Sequence, residues 1–348
     1  MKKLFLFLLL PLLGVGCLSA KTSVSTKGGL WESADAGNTW TSTSVIPTPT
    51  GLSSFSSVDM STAVFDAADP DALYVGTVED GMLFSYDNGA SWQLPGQAEV
   101  RTGHVYSIAV DPRNKCTIYV ALDSHIMKST DCNRTFDTET FVESAGKAVR
   151  ALKLDWYTPN TVWAATAGGD ILKSVDAGAK WTTVERVNDK VVDLIVDRSD
   201  SRILIVVTEA KGLWRSSDGG DTWTQLDKGL ADFKSANVGY AFTQNSDGSL
   251  MYYANKYGIL RSQDHGATWS ALTLLTAPGS THIYALATSP DDGNVIYYGT
   301  DNTFYATTDG GSTWATQTLP SDHAAAALAI DPNKTANFFL GVATLSKN

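Results

Sequence analysis

The chain has 348 residues, enough for one large domain or two to three ordinary ones, since domains usually run to ~100 to 200 residues. Lysine and arginine total 26 against 37 aspartates and glutamates, a formal charge of −11, which argues against a nucleic-acid partner because a phosphate backbone demands a basic stripe. Charged residues make up 18%, below the ~25% of an average soluble domain, while 10 Trp and 13 Tyr stand in a Ser/Thr-rich background; this composition suits an exported β protein and constrains architecture more than activity.

In chain order, Lys2 and Lys3 precede an apolar run from Leu4 to Leu13, too short to span ~30 Å of hydrocarbon as a permanent helix. Residues 1–16 therefore read as a signal peptide. The run ends in Gly14-Val15-Gly16-Cys17, which resembles the bacterial lipobox and implies cleavage before Cys17 and lipidation of that cysteine. Gly14 departs from the aliphatic residue usual at its position, and ordinary cleavage near Ala20 is the alternative. Leu18 after the cysteine resembles lipoproteins sorted to the outer membrane of Gram-negative bacteria. On this reading residues 17–27 are a tether, membrane contact is through the lipid alone, and the rest is soluble; a periplasmic or secreted protein is the alternative.

Beyond the tether the chain repeats. The octet SADAGNTW (Ser33 to Trp40) recurs at Ser85 to Trp92, Ser174 to Trp181, Ser216 to Trp223, Ser262 to Trp269 and Thr307 to Trp314, with a degenerate copy at Ser129 to Phe136 where Asn133 replaces Gly. The closing aromatics lie 42 to 52 residues apart, the span of a four-stranded propeller blade, so seven copies predict seven blades. Each unit reads as four short β segments, as in VYSIAVDP, TIYVAL, HIMKSTD and RTFDTETF, rich in β-branched and aromatic residues. The chain begins halfway through a unit (GGLWES, NTWTST) and ends halfway through one (HAAAALAIDPNK, ANFFLGVAT). This predicts one all-β, seven-bladed propeller over residues 28–348, closed by N- and C-terminal strands that share a blade and leave no open edge. Thr41 to Ser61, rich in Ser, Thr and Pro, reads as an irregular surface strap.

The octet S/T-x-D-x-G-x-x-W resembles the Asp-box, or BNR repeat, of sialidases, sortilin-type receptors, xyloglucan-hydrolysing glycosidases and the photosystem II assembly factor. The resemblance covers nearly the whole mature chain and implies the propeller fold, while its members include hydrolases, receptors and scaffolds, so it leaves the chemistry open. In the box, Asp35, Asp87, Asp176, Asp218, Asp264 and Asp309 are expected to bond the backbone of their own turn as Asx-type residues, with Gly taking positive φ. Cys116 and Cys132 lie on neighbouring antiparallel segments of one blade and are expected to face each other; a disulfide and two buried free thiols are both open. No metal-ligand spacing is present, and no cofactor is expected.

The seven first strands, aligned on Asp69, Asp111, Asp155, Asp197, Asn245, Ser289 and Asp331, place Val64, Tyr106, Arg150, Val192, Tyr240, Tyr284 and Ala326 at one level of the ring. Thr62, His104, Ala148, Lys190, Val238, His282 and Ala324 fall on the next. Tyr106, Arg150, Tyr240, Tyr284, His104 and His282 thus become candidates for ligand binding at the channel mouth, where propellers commonly bind; aromatics that merely cap wet strand ends are the alternative. Asp66 and Asp193 are weak catalytic candidates, Asp193 having Lys153 as a suitable ion-pair partner. The sialidase resemblance implies an arginine triad and a FRIP-type motif, whereas nine arginines and no such motif are present. The xyloglucanase resemblance implies paired carboxylates between two propellers. The expectation is therefore a monomeric, envelope-anchored scaffold that binds a protein or glycan partner, with a glycan-active hydrolase or a photosystem II assembly factor-like protein as alternatives.

Overall fold

The computed structural model describes residues 28–143 and 147–345; the signal peptide, the tether and Cys17 lie outside the described residues. Seven antiparallel sheets follow one another around an axis. Blade 1 comprises Met60–Asp66, Asp69–Thr77 and Met82–Ser85; blade 2 comprises Val105–Asp111, Asn114–Leu122, His125–Ser129 and Asp137–Val142; blade 3 comprises Val149–Leu154, Val162–Thr166, Asp170–Ser174 and Thr182–Arg186. Blades 4, 5 and 6 start with Val191–Val196, Gly239–Gln244 and Ala285–Thr288. In blade 7, Ala324–Ile330 and Phe338–Ala343 pair with the N-terminal strands Leu30–Ser33 and Thr41–Ser42. The ring is thus closed by its two ends, so the sheet that would otherwise carry two free edges is complete.

The second strands explain why the β segments are so apolar. Every residue of Val162–Thr166, Leu204–Thr208 and Met251–Asn255 is buried, because each lies mid-sheet with a neighbouring blade on either face. Such strands read as continuous apolar runs rather than alternation. No helix among the described residues is long and apolar enough to cross a membrane.

Two expectations are corrected. Blade 1 has three strands, its fourth reduced to the single bridge between Phe84 and Gln93. The segment read as an irregular strap holds Thr41–Ser42 and the hairpin Val45–Thr48/Gly51–Ser54. The hairpin end covers that incomplete outer edge: Val45 O accepts the Trp92 N–H at 3.0 Å, and Phe55 meets the Trp92 ring edge-on at 5.5 Å.

All seven boxes, the degenerate one included, have one geometry. The box carboxylate accepts the N–H four residues on at 2.8 to 2.9 Å, and the leading Ser or Thr hydroxyl accepts the N–H of the Gly position at 2.8 to 3.1 Å. The hydroxyls of Thr135, Thr222 and Thr313, then the backbone donors, hold Asp131, Asp218 and Asp309 at about 2. Gly89 shows why glycine is required at its position: its φ is +81°, and a Cβ there would lie 2.6 Å from the Phe339 ring of blade 7. The box therefore fastens one blade to the next.

Candidate functional site

Six of the seven first strands carry a β-bulge near their start, blade 6 being the exception. In blade 2 Val105 pairs with Leu122 and Ser107 with Ala121, leaving Tyr106 outside the ladder. Arg150, Val192, Tyr240 and Ala326 are skipped in the same way, and Tyr284 N–H shares Gly299 with the Ala285 pair. A bulge re-aims one side chain while the strand continues, so the ladder itself defines the ring level. Blade 1 differs from the sequence alignment. Its bulged residue is Ser61, and Asp66 pairs with Asp69 as Asp111 pairs with Asn114. Asp66, rather than Asp69, is therefore the closing residue, Ser61 replaces Val64 in the ring, and Asp59 replaces Thr62 on the level above.

The six mouth candidates fall into two stacked groups. On blades 2 and 3, the His104 ring lies on Tyr106 at 3.8 Å and 9°, and the Arg150 guanidinium stands 4.6 Å over the same tyrosine. On blades 5 and 6, His282 is sandwiched between Tyr240 at 3.8 Å and Tyr284 at 4.2 Å. Burial, reinforced by the Arg150 charge and opposed by Asp123, pushes His104 down to about 4. Burial also lowers His282 and raises Tyr240 and Tyr284. His104 and His282 are thus neutral at neutral pH, and the Arg150 cation stands beside the first of them. Arg150 Nε is buried without a hydrogen-bond partner among the described residues. Asp59, the carboxylate at this level, is occupied by His323 Nδ1 at 3.1 Å and the Thr344 N–H at 2.9 Å.

The two weak catalytic candidates are placed apart in role. Asp66 is fully buried, its Oδ1 accepting the Ala68 N–H at 2.8 Å in the first turn of blade 1, and burial raises its carboxyl. Asp193 lies on the first strand of blade 4, ion-paired with Lys153 at 3.5 Å and accepting the Leu194 N–H. Neither arrangement forms an acid and base pair. Cys116 and Cys132 are joined as a disulfide, with the Cys132 N–H donating to Cys116 O at 3.2 Å. No group of three or more His, Cys, Asp or Glu among the described residues could hold a metal ion.

Sequence reasoning missed a cavity of about 280 Å³ at the other end of the channel, where the first strands finish; Lys153, Trp156, Asp193, Arg198, Thr243 and Gln244 are among its lining residues. The signal was present in the repeat. The residue after the closing position is Pro in three blades, Pro112, Pro290 and Pro332, but Trp156 and Arg198 in two neighbours.

A family model described as the DUF6242 beta propeller domain matches residues 109–325. No curated protein matches the sequence. Among solved structures, the chain is similar to the GH74 xyloglucanase from Xanthomonas campestris with a TM-score of 0.65 and 16% identity, over 82% of this chain and 51% of that one. It is similar to YCF48 bound to D1 peptide, with a TM-score of 0.62 and 14% identity over 82% and 93% of the two chains. The extracellular domain of BT4673 from B. thetaiotaomicron gives a TM-score of 0.60 and 14% identity over 84% and 42%. This chain thus spans about half the length of the xyloglucanase it resembles. At these identities the likeness is one of fold.

Proposed function

This chain belongs to the DUF6242 β-propeller family, and from that premise we propose that it is an envelope-anchored binding or assembly scaffold that holds a partner polypeptide at the strand-start mouth without turning it over. The observation that carries this reading is the pair of stacks, His104–Tyr106–Arg150 and Tyr240–His282–Tyr284. Arg150 has its guanidinium face on a tyrosine, which leaves its edge to grip a carboxylate, and Arg matches a carboxylate bidentately. The aromatic faces offer rigid, amphipathic area at low entropy cost, as binding surfaces do. That a propeller of similar fold is bound to a peptide supports a polypeptide as the partner, with a glycan stacked on the same rings as the second choice. Lipidation at Cys17 would supply the tether through residues 17–27.

Turnover is denied on the carboxylates. Glycoside hydrolysis of the common type needs two of them flanking one bond; Asp193 is ion-paired with Lys153, and Asp66 is fully buried with Oδ1 on the Ala68 N–H. The test measures binding of peptides ending in an acidic residue, and of β-glucan oligosaccharides, to the mature protein by fluorescence anisotropy. Peptide capture weakened about tenfold or more in Arg150→Ala or Tyr240→Ala, with the melting temperature held, is the expected result. Release of reducing ends from a β-glucan or sialoside, abolished by Asp193→Asn or Asp66→Asn, would establish the hydrolase instead.

A further inference from the structure

The far end of the channel departs from the repeat in two neighbouring blades. Trp156 and Arg198 occupy the position that is Pro in three other blades, and both line the cavity of about 280 Å³. Its charges are unbalanced. Lys153 is offset by Asp193 at 3.5 Å, whereas the Arg198 guanidinium has no ion pair or side-chain hydrogen bond among the described residues; only its backbone is held, the N–H donating to Gln244 Oε1 at 3.2 Å. Arg198 is exposed and lines the cavity, so its guanidinium is available to an entering anion. The surrounding groups are fixed. Gln244 Nε2 donates to Val196 O at 2.7 Å, and Trp156 Nε1 donates to Asp197 O at 2.7 Å, which makes the indole a rigid wall.

We propose that this end of the channel binds a small carboxylate of monosaccharide size, a sugar acid, whose carboxylate is taken by Arg198 while its ring face lies along Trp156. A free guanidinium matches a carboxylate through two parallel hydrogen bonds. Cavities for drug-sized ligands run from roughly 300 Å³ upward, so this one takes a smaller molecule. Its wall also carries Pro112 and Leu154, apolar surface suited to a ring face. The site lies at the opposite end of the first strands from the aromatic mouth and does not rest on the function proposed there.

The experiment is isothermal titration calorimetry on the mature protein, with D-glucuronate as probe and D-glucose as its uncharged counterpart. Glucuronate should bind about tenfold or more tightly than glucose, and Arg198→Ala should cost about tenfold in glucuronate affinity with an unchanged melting temperature. Lys153→Met, which leaves Asp193 to repel the anion, should weaken binding severalfold and carries the test if the Arg198 variant fails to fold. Arg150→Ala and Tyr240→Ala at the mouth should leave glucuronate binding as it was. No heat from glucuronate at millimolar concentration, equal binding of the two sugars, or undiminished binding in both cavity variants overturns the proposal.

Discussion

Phe338 joins the two ends of the chain, and replacing it with Ala tests ring closure directly. It is fully buried and pairs with Ser33 on one side and Ile330 on the other. Its ring stacks on Phe304 at 5.1 Å, lies 4.7 Å from Tyr297 and meets the N-terminal Trp40 edge-on at 5.4 Å. A buried Phe→Ala change costs about 3–5 kcal/mol from lost transfer energy and the cavity left behind, a large share of the ~5–15 kcal/mol that holds a typical fold. Trp40→Ala removes the partner from the other end of the sequence. If those ends share one core in solution, the two losses are not additive, and the coupling should be roughly 0.5–1.5 kcal/mol. Equilibrium urea unfolding followed by far-UV circular dichroism on the two single variants and the double variant gives this cycle. A Phe338→Ala loss below about 1 kcal/mol, or strict additivity with Trp40→Ala, would refute the shared blade.

Three further outcomes are expected. Protein purified without reductant should carry Cys116 and Cys132 as a bonded pair in non-reducing mass spectrometry, and the double Ser variant should lose about 3 kcal/mol, the chain-entropy value for a loop of about 15 residues; alkylation of both thiols rejects the bond. Gly89→Ala should lower the melting temperature more than Gly219→Ala, because both positions have positive φ but only the first would press a Cβ onto a neighbouring ring, with nothing within 4 Å at the second. His104, held down to about 4 by burial and by Arg150, should titrate in an NMR series well below the ordinary value near 6.5. The unfolded chain then binds more protons than the folded one between those two values, so this residue's contribution is present above pH ~6.5 and is lost as pH falls toward 4. An imidazole midpoint at or above 6.5 would contradict the buried stack.

The boxes were legible in the sequence because their chemistry is local. Ser216, Asp218, Gly220 and Thr222 bond one another's backbone within a single turn, so the spacing that makes the turn is the spacing that is read, and its recurrence counts the blades. The half-units at each end were enough to specify closure, since two incomplete sheets can satisfy their edges only on each other. The rest needed the ring. Whether Asp66 or Asp69 closes the first strand of blade 1 depends on a register shift against Asp69–Thr77, and a one-residue shift in pairing turns side chains to the other face. Val64 and Ser61 could not be told apart by counting. Tyr240 and His282, which stack at 3.8 Å, come from different blades, as do Trp156 and Arg198 beside the far cavity; residues some forty apart in the chain become neighbours only when adjacent sheets are packed. The sequence by itself therefore determined the fold and its period, which rest on turns and hairpins that recur in the chain, and tertiary structure alone decided the sites, which are built from residues of several blades and exist only where the ring brings those residues together.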